Sequence, residues 1–178
     1  MFLTVGRLVE TKNIKMQIRA FKNLYLRFKN LELWIIGEGE ELSNLKLVVG
    51  NLGLDKNVKM FGWKDDLSKY YRQADVFLLT SNSEGWGLVV IEAATCGLPI
   101  IMTDVGCAGE VIKDGQSGRV IPVGDQKALE EAMVKLIEHP ELRKKLGEGA
   151  RDAVEKLPSK EETLKLYLKS WQNARINF

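Results

Sequence analysis

Residues 74–106 read ADVFLLTSNSEGWGLVVIEAATCGLPIIMTDVG, and this stretch indicates the fold. Two short apolar runs, DVFLLT at 75–80 and PIIMT at 99–103, lie on either side of a segment rich in Ala, Val and Ile. That middle segment, Leu88–Cys96, predicts a helix between two strands. Strand, helix and strand in this order are typical of a parallel sheet that is covered by helices.

The same alternation of strands and helices continues through most of the chain. Apolar runs predict six strands, at 2–6, 31–37, 58–62, 75–80, 99–103 and 118–122. The strands lack clean in–out alternation, as expected where both faces of a sheet are buried. We therefore predict an α/β fold with a doubly wound, parallel, six-stranded Rossmann-like sheet. In the usual strand order 3-2-1-4-5-6, ligands bind at the carboxyl ends of the strands.

The chain turns wholly helical after residue 124, which predicts extra helices at the C-terminal end. Their start signals are Asp125 as an N-cap, Pro140 at a first turn, and a capping box of Ser159 and Glu162. The last helix carries an apolar stripe of Leu164, Leu168 and Trp171. Two interpretations stay open: the stripe packs on its own domain, or it faces a partner surface.

Composition excludes several classes of function. The 178 residues are 45% hydrophobic, and 26 Lys and Arg against 24 Asp and Glu give a net charge of +2, so one globular domain without a nucleic-acid footprint is expected. Two cysteines outside any CxxC pair and a single histidine argue against a disulfide scaffold and against a zinc site. With neither a basic leader nor an apolar run of about 20 residues, we expect a soluble, cytoplasm-facing domain.

The glycine turn after the fourth predicted strand is the richest candidate for a ligand site. Glu84 follows that strand, and Gly85 and Gly87 lead into a helix whose free N–H groups attract anions such as phosphate. Glu92 lies further along this helix, where its carboxylate suits a pair of ribose hydroxyls. The alternative is a pair of surface glutamates beside a turn, although the apolar neighbours of Glu92 suggest a buried helix that would give it a partner.

Two cations follow the first strand. Arg7 comes directly after it and Lys12 a few residues later, and strands 1 and 4 are neighbours in the expected order. Both cations should therefore lie near the glycine turn, where they would clamp a diphosphate. The alternative is a pair of solvated loop cations.

Other nucleotide motifs are missing from the sequence. No GxGxxG follows the first strand, where Gly6-Arg7-Leu8 stands, which argues against a nicotinamide or flavin enzyme. No GxxxxGK[ST] motif is present, and no Ser/His/Asp set can be built around His139. Gly37-Glu38-Gly39 and the glycines at 106 and 109 mark further loops at the ligand edge, and they can equally serve turns.

These segments together resemble the donor-binding domain of retaining glycosyltransferases of the GT-B fold, glycosyltransferase family 4. The matching pieces are VGRLVETK at 5–12, IIGEGEE at 35–41, VKMFGW at 58–63, the stretch 74–106 quoted above, and EVIKDGQSGRVIPVGD at 110–125. The resemblance covers nearly the whole chain, most strongly residues 2–125. It implies a hexosyltransferase that uses a nucleotide diphosphate sugar, of which a UDP-sugar is one form, as substrate and needs no metal or other cofactor. UDP, GDP and ADP, and the identity of the sugar, stay open.

The resemblance also implies roles for individual residues. Arg7 and Lys12 would bind the donor diphosphate and stabilise the leaving nucleotide, and Glu84 would lie at the transferred sugar. Glu92 would bind the ribose. The backbone of Gly87, Leu88 and Val89 would bind phosphate or ribose, and residues around Gly39 and Phe61 would face the base.

Some positions differ from the pattern of that family. Thr80 stands where Pro is usual, Cys107 and Gly109 where Gly and Pro are usual, and Asn13 where Gly is common. The resemblance implies a preceding acceptor domain that this chain does not contain, and a peripheral membrane acceptor for the full-length enzyme, with polysaccharide synthesis as the pathway class. The competing hypotheses are a stand-alone nucleotide-sugar-binding module and a sugar-nucleotide epimerase, for which no acid–base set is visible.

Overall fold

A six-stranded parallel sheet forms the centre of the molecule, whose computed structural model describes residues 1–176. The strands are β1 (Phe2–Val5), β2 (Leu33–Ile36), β3 (Val58–Met60), β4 (Val76–Leu79), β5 (Ile100–Thr103) and β6 (Gly118–Ile121). Their order is β3-β2-β1-β4-β5-β6, and every neighbouring pair is parallel. The predicted fold class and strand order are confirmed. The chain reverses its direction of travel across the sheet between β1 and β4, which creates a crevice at their carboxyl ends.

Seven α-helices flank the sheet in the described part of the chain. They are α1 (Ile14–Arg27), α2 (Leu42–Asn51), α3 (Ser68–Gln73), α4 (Leu88–Thr95), α5 (Gln126–Glu138), α6 (Pro140–Glu155) and α7 (Lys160–Ile176). A single 3-10 turn, Glu10–Lys12, precedes α1. The apolar sides of α1, α2 and α5 pack on one face of the sheet, whereas α3 and α4 pack on the other. Alternate strand residues therefore enter two separate cores, which is why the four central strands β1, β2, β4 and β5 show no exposed polar face.

The start signals read from the sequence are present at the three C-terminal helices. The Asp125 carboxylate accepts a bond from the Ala128 backbone N–H at 2.9 Å, and Pro140 occupies the first turn of α6. Ser159 and Glu162 accept bonds from each other's backbone N–H groups, as a capping box requires.

The solvent exposure of the apolar stripe on α7 decides between the two interpretations of that stripe. Leu164, Leu168 and Trp171 are all exposed, so packing of the stripe on its own domain is wrong. Propensity and capping define the helix, but no groove of the described domain covers this face. Within residues 1–176, none of the helices combines the length and the apolar character needed to cross a bilayer.

Candidate functional site

A pocket of about 250 Å³ opens at the crevice between the carboxyl ends of β1, β2 and the start of α4. Its lining includes Arg7, Gly37, Trp63, Val89 and Glu92. These residues come from four separate loops and helices, and the strand order brings them together. Arg7 and Glu92, which the sequence analysis assigned to one ligand, thus line the same pocket.

Glu92 faces this pocket from the side of α4 that is turned away from the sheet. Val90, Ala93 and Ala94 fill the buried side of the helix, which leaves the Glu92 side chain exposed. The expectation of a buried Glu92 is therefore wrong, because a helix of small apolar residues still has one free face. Its expected partner is present: the Tyr71 hydroxyl donates to Glu92 Oε2 at 2.8 Å. This bond orients the carboxylate and leaves its other oxygen open to a ligand.

The phenol of Tyr71 is held in its neutral form. Burial in the core beneath α4 raises its pKa, and the hydrogen bond to the Glu92 carboxylate raises the pKa further. Tyr71 is thus a permanent hydrogen-bond donor to Glu92 at neutral pH.

Lys12 and Glu84 do not line this pocket, but they form an ion pair between the loops that follow β1 and β4, although 72 residues separate them in the chain. Their side chains are 20% and 11% exposed, so the pair is largely shielded from water. Ser81 Oγ donates a second bond to the same Glu84 oxygen at 2.7 Å. The alternative of a simple surface glutamate is therefore wrong for Glu84. A cation and a carboxylate held together here can bind a phosphate on one side and sugar hydroxyls on the other.

The turn between Glu84 and α4 has the backbone geometry of an anion site. Gly87 has a φ of 86° and occupies the N-cap of α4, and no side chain caps the helix there. The first N–H groups of α4, from Leu88 and Val89, are therefore available to an anion. Gly106 packs closely against this turn, since a Cβ at that position would lie 2.8 Å from the Trp86 carbonyl oxygen.

Gly39 and Phe61, expected to lie near a base, are placed beside the pocket rather than in its wall. The Phe61 ring packs against Trp34 and Tyr70, with centroids 5.1 and 5.3 Å away. Gly39 packs so tightly on the loop after β1 that a Cβ would lie 2.3 Å from the Leu8 carbonyl oxygen. The assignment of these two residues to the base stays a prediction.

Two residues that line the pocket, Trp63 and Lys64, are not predicted from the sequence. Trp63 is 66% exposed, and its backbone N–H donates to Glu38 Oε1 at 3.2 Å. The signal was present, because both residues follow the glycine after β3 and so lie at the carboxyl edge of the sheet. Charge and aromatic content alone do not distinguish such residues from other loop residues.

Cys107, which departs from the resembling family, lies directly under the site. Its side chain is fully buried, and its backbone N–H donates to the Trp86 carbonyl at 3.0 Å. Burial raises the pKa of its thiol to about 11. This cysteine is therefore a packing residue with little thiolate character.

Fold and site together define a Rossmann-like ligand-binding domain whose switch-point pocket carries cations, a carboxylate and a free helix start. The chain belongs to the glycosyl transferases group 1 family, whose model matches residues 1–153. This confirms the expected C-terminal, GT-B type of glycosyltransferase domain. The narrower assignment to glycosyltransferase family 4 stays a prediction.

Several known proteins are similar to this chain. It is 32% identical over 161 residues to the N-acetyl-alpha-D-glucosaminyl L-malate synthase of Bacillus anthracis, which covers 87% of this chain and 42% of that protein. It is 29% identical over 166 residues to the lipopolysaccharide core biosynthesis glycosyltransferase LpsE of Rhizobium meliloti, covering 93% and 48% respectively. The chain thus spans less than half the length of these curated relatives.

The fold matches solved glycosyltransferase structures. The pneumococcal O-GlcNAc transferase GtfA, solved in complex with UDP and GlcNAc, superposes with a TM-score of 0.82 and 28% sequence identity. The match covers 97% of this chain and 34% of GtfA.

Proposed function

We propose that this chain is the donor-binding domain of a retaining hexosyltransferase that takes its sugar from a nucleotide diphosphate sugar. The observation that carries the proposal is the joint lining of one switch-point pocket by Arg7 and Glu92, together with the Lys12–Glu84 pair on the loops after the neighbouring strands β1 and β4. Two cations and two carboxylates of this kind match the three parts of such a donor. The diphosphate would be bound by the cations Arg7 and Lys12. The ribose hydroxyls would donate to Glu92, and the hydroxyls of the sugar would donate to Glu84.

The proposed chemistry is electrostatic. Transfer of the sugar leaves a nucleoside diphosphate whose negative charge grows as the glycosidic bond breaks. Arg7, Lys12 and the first N–H groups of α4 would stabilise that charge, and such preorganised groups act most strongly on charge that develops in the transition state. We propose that these groups take the role that a metal ion has in other transferases.

Glu84 is proposed to hold the transferred sugar. Its Oε1 atom accepts bonds from both Lys12 and Ser81, so the carboxylate is fixed before any ligand enters. A fixed acceptor at this point would orient the hydroxyls of the sugar and leave one face of the anomeric carbon open to the acceptor.

We propose UDP as the nucleotide of the donor, on the basis of the UDP complex of GtfA. Trp63 at the rim of the pocket supplies an exposed aromatic surface, which is suited to stacking on a base. The similarity to a lipopolysaccharide core glycosyltransferase supports a role in cell-envelope polysaccharide synthesis. Because the chain spans under half of its relatives, we propose that turnover requires a second domain that binds the acceptor.

Calorimetric titration of the chain with UDP, GDP and ADP tests the proposal. UDP should bind most tightly, and Arg7→Ala and Glu92→Ala should each weaken it by about tenfold or more, since each removes a bond to or from a charged group worth roughly 1.5–3 kcal/mol. Arg19→Ala, at an exposed position on α1, is the matched control and should leave the affinity unchanged.

Two results would contradict the proposal. Equal affinities of the wild type, Arg7→Ala and Glu92→Ala would show that the pocket is not the nucleotide site. If the chain binds no nucleotide at millimolar concentration, the proposed donor domain does not exist in this chain. Retention is tested separately, by the anomeric proton signal of the product that the chain makes together with an acceptor-binding domain.

A further inference from the structure

Buried polar side chains are concentrated under the Lys12–Glu84 pair. Six polar side chains are buried in the described part of the chain, and five of them meet at the carboxyl edge of β1, β4 and β5: Thr4, Gln17, Thr80, Ser81 and Thr103. The sixth, Ser117, lies in the loop before β6. Burying a polar group costs free energy unless its bonds are satisfied, so such a cluster indicates a local requirement for fixed geometry.

Thr80 is the centre of this cluster. Its single hydroxyl hydrogen is shared between two backbone carbonyls, of Lys12 at 3.1 Å and of Asn13 at 3.2 Å. The same oxygen accepts a bond of 2.8 Å from Gln17 Nε2. Gln17 and Thr80 are each only 1% exposed, so water does not compete for these bonds.

The segment that Thr80 holds is a turn with an unfavourable backbone. Asn13 has φ 46° and ψ 41°, and it is the only residue other than glycine with a positive φ among residues 1–176. An asparagine adopts this conformation more readily than other non-glycine residues but less readily than a glycine, so the bonds around the turn help to hold it. The Thr80 hydroxyl supplies one hydrogen to this turn, shared between the carbonyls of Lys12 and Asn13.

A second set of bonds fixes the carboxylate side of the pair. Thr103 Oγ1 donates to the Ser81 carbonyl at 2.7 Å, and Ser81 Oγ donates to Glu84. The Asn82 backbone N–H donates to the Thr11 carbonyl at 2.7 Å, which ties the loop after β4 to the 3-10 turn. Both partners of the ion pair are thus anchored to the end of β4.

One atom of the cluster has no bond. Gln17 Oε1 is buried and has no hydrogen-bond partner among the described residues. A leucine or methionine at this position would avoid the cost of that orphaned acceptor. The amide nitrogen of Gln17 is fully used: Nε2 donates to Thr80 Oγ1 at 2.8 Å and to Thr4 Oγ1 at 3.3 Å. Because Thr80 Oγ1 accepts from Gln17, its own hydrogen is directed toward the Lys12 turn.

We propose that Gln17 and Thr80 are positioning residues that hold the Lys12–Asn13 turn so that the Lys12 ammonium reaches the Glu84 carboxylate. They touch no ligand and act through Lys12. The effect of this anchoring on ligand affinity rests on the proposed function, in which Lys12 binds the diphosphate of the nucleotide sugar. The anchoring itself is a property of the chain alone.

Backbone amide exchange measured by NMR on the chain without nucleotide tests the anchoring. Thr80→Val, which keeps the shape and removes the hydroxyl, should speed exchange at Asn13 and Asn82 by about tenfold, since local opening there becomes easier. Thr80→Ser restores the hydroxyl and should return both rates. Ser117→Ala is the control, since it also removes a buried hydroxyl that donates to a carbonyl. Unchanged exchange at both amides in Thr80→Val, or an equal acceleration across β1 and β4, would overturn the anchoring.

Calorimetry with UDP and UMP then tests the consequence for binding. Thr80→Val should weaken UDP roughly two- to tenfold, as expected for one lost hydrogen bond, and UMP less, because Lys12 is assigned to the diphosphate. In Lys12→Ala the same Thr80→Val change should have no further effect. Additive losses in the double variant, or equal losses for UDP and UMP, would overturn the role through Lys12. If the wild-type chain binds no UDP, the proposed function fails, and the exchange rates still decide the anchoring.

Discussion

Gly37 should be among the least replaceable residues of the chain. It follows β2 and lines the pocket, with a φ of 140°. A Cβ built on it would lie 1.8 Å from the carbonyl oxygen of Gly6 and 2.9 Å from its carbonyl carbon. The obstacle is backbone at the end of β1, next to Arg7, and it cannot rotate away as a side chain would.

The magnitude follows from two costs. A non-glycine residue in such a backbone region costs about 1–3 kcal/mol. Forcing the loops after β1 and β2 apart adds about 1–3 kcal/mol, as for other overpacked sites. Gly37→Ala should therefore lower the free energy of unfolding by roughly 2–6 kcal/mol, out of the 5–15 kcal/mol typical of a domain.

Two other glycines separate these costs. Gly53 has a positive φ of 63° with open space at its Cβ position, so Gly53→Ala should lose only the backbone cost of about 1–2 kcal/mol. Gly85 also has open space and no positive φ, and Gly85→Ala should be close to neutral in stability. The expected order of stability is Gly85→Ala, Gly53→Ala, then Gly37→Ala.

Urea denaturation followed by far-UV circular dichroism measures all three free energies. The m-value should stay unchanged, because unfolding exposes the same surface area in each variant. A Gly37→Ala variant as stable as Gly53→Ala would refute the reasoning, since it would show that the loops after β1 and β2 separate without cost.

Three further predictions concern single side chains. Asp125→Ala removes the cap of α5 and should cost about 1 kcal/mol, or roughly 2–4 °C in Tm, measured by calorimetry against wild type. The buried Cys107 thiol, with a pKa near 11, should react with a disulfide reagent at pH 8 only after unfolding, whereas the half-buried Cys96 should react in the native chain; equal native rates would contradict the burial of Cys107. Because burial and Glu92 raise the pKa of Tyr71, its contribution to stability is complete below the ordinary phenol pKa of about 10 and is lost as the pH rises above it. Alkaline unfolding curves should therefore be shallower for Tyr71→Phe than for wild type, and identical slopes would contradict the shift.

The sequence predicts the sheet well for a simple physical reason. Each strand is a short, mainly apolar run, and the three C-terminal helices have local start signals such as Asp125 and Pro140. The order of the strands follows from a general preference of doubly wound sheets. Given that order, the neighbourhood of Arg7, Glu84 and Glu92 follows from the rule that parallel strands share one carboxyl edge.

The hydrogen bonds and the ion pair within the site could not be predicted from the sequence. Periodicity shows which face of a helix is buried, but it does not show that Tyr71 of α3 reaches Glu92 of α4, or that Lys12 pairs with Glu84. These contacts depend on how loops from distant parts of the chain are packed. The exposure of Glu92 differs from the prediction for a local reason: the buried apolar residues around it belong to the opposite side of a short helix.

The adjacency of β1 and β4 has a consequence for biosynthesis. Lys12 and Glu84 are 72 residues apart in the chain. They come together only after β2 and β3 have been synthesised, and both of these strands lie on the side of β1 away from β4. Closing so long a loop is slow compared with local helix formation. A nascent chain therefore exposes the edge of β1 that later pairs with β4 until β4 emerges. A ligand cannot stabilise the chain during that interval, because the pocket has not yet formed. During synthesis, β1 thus has an unpaired edge with which a strand of another chain could pair, until β4 covers it.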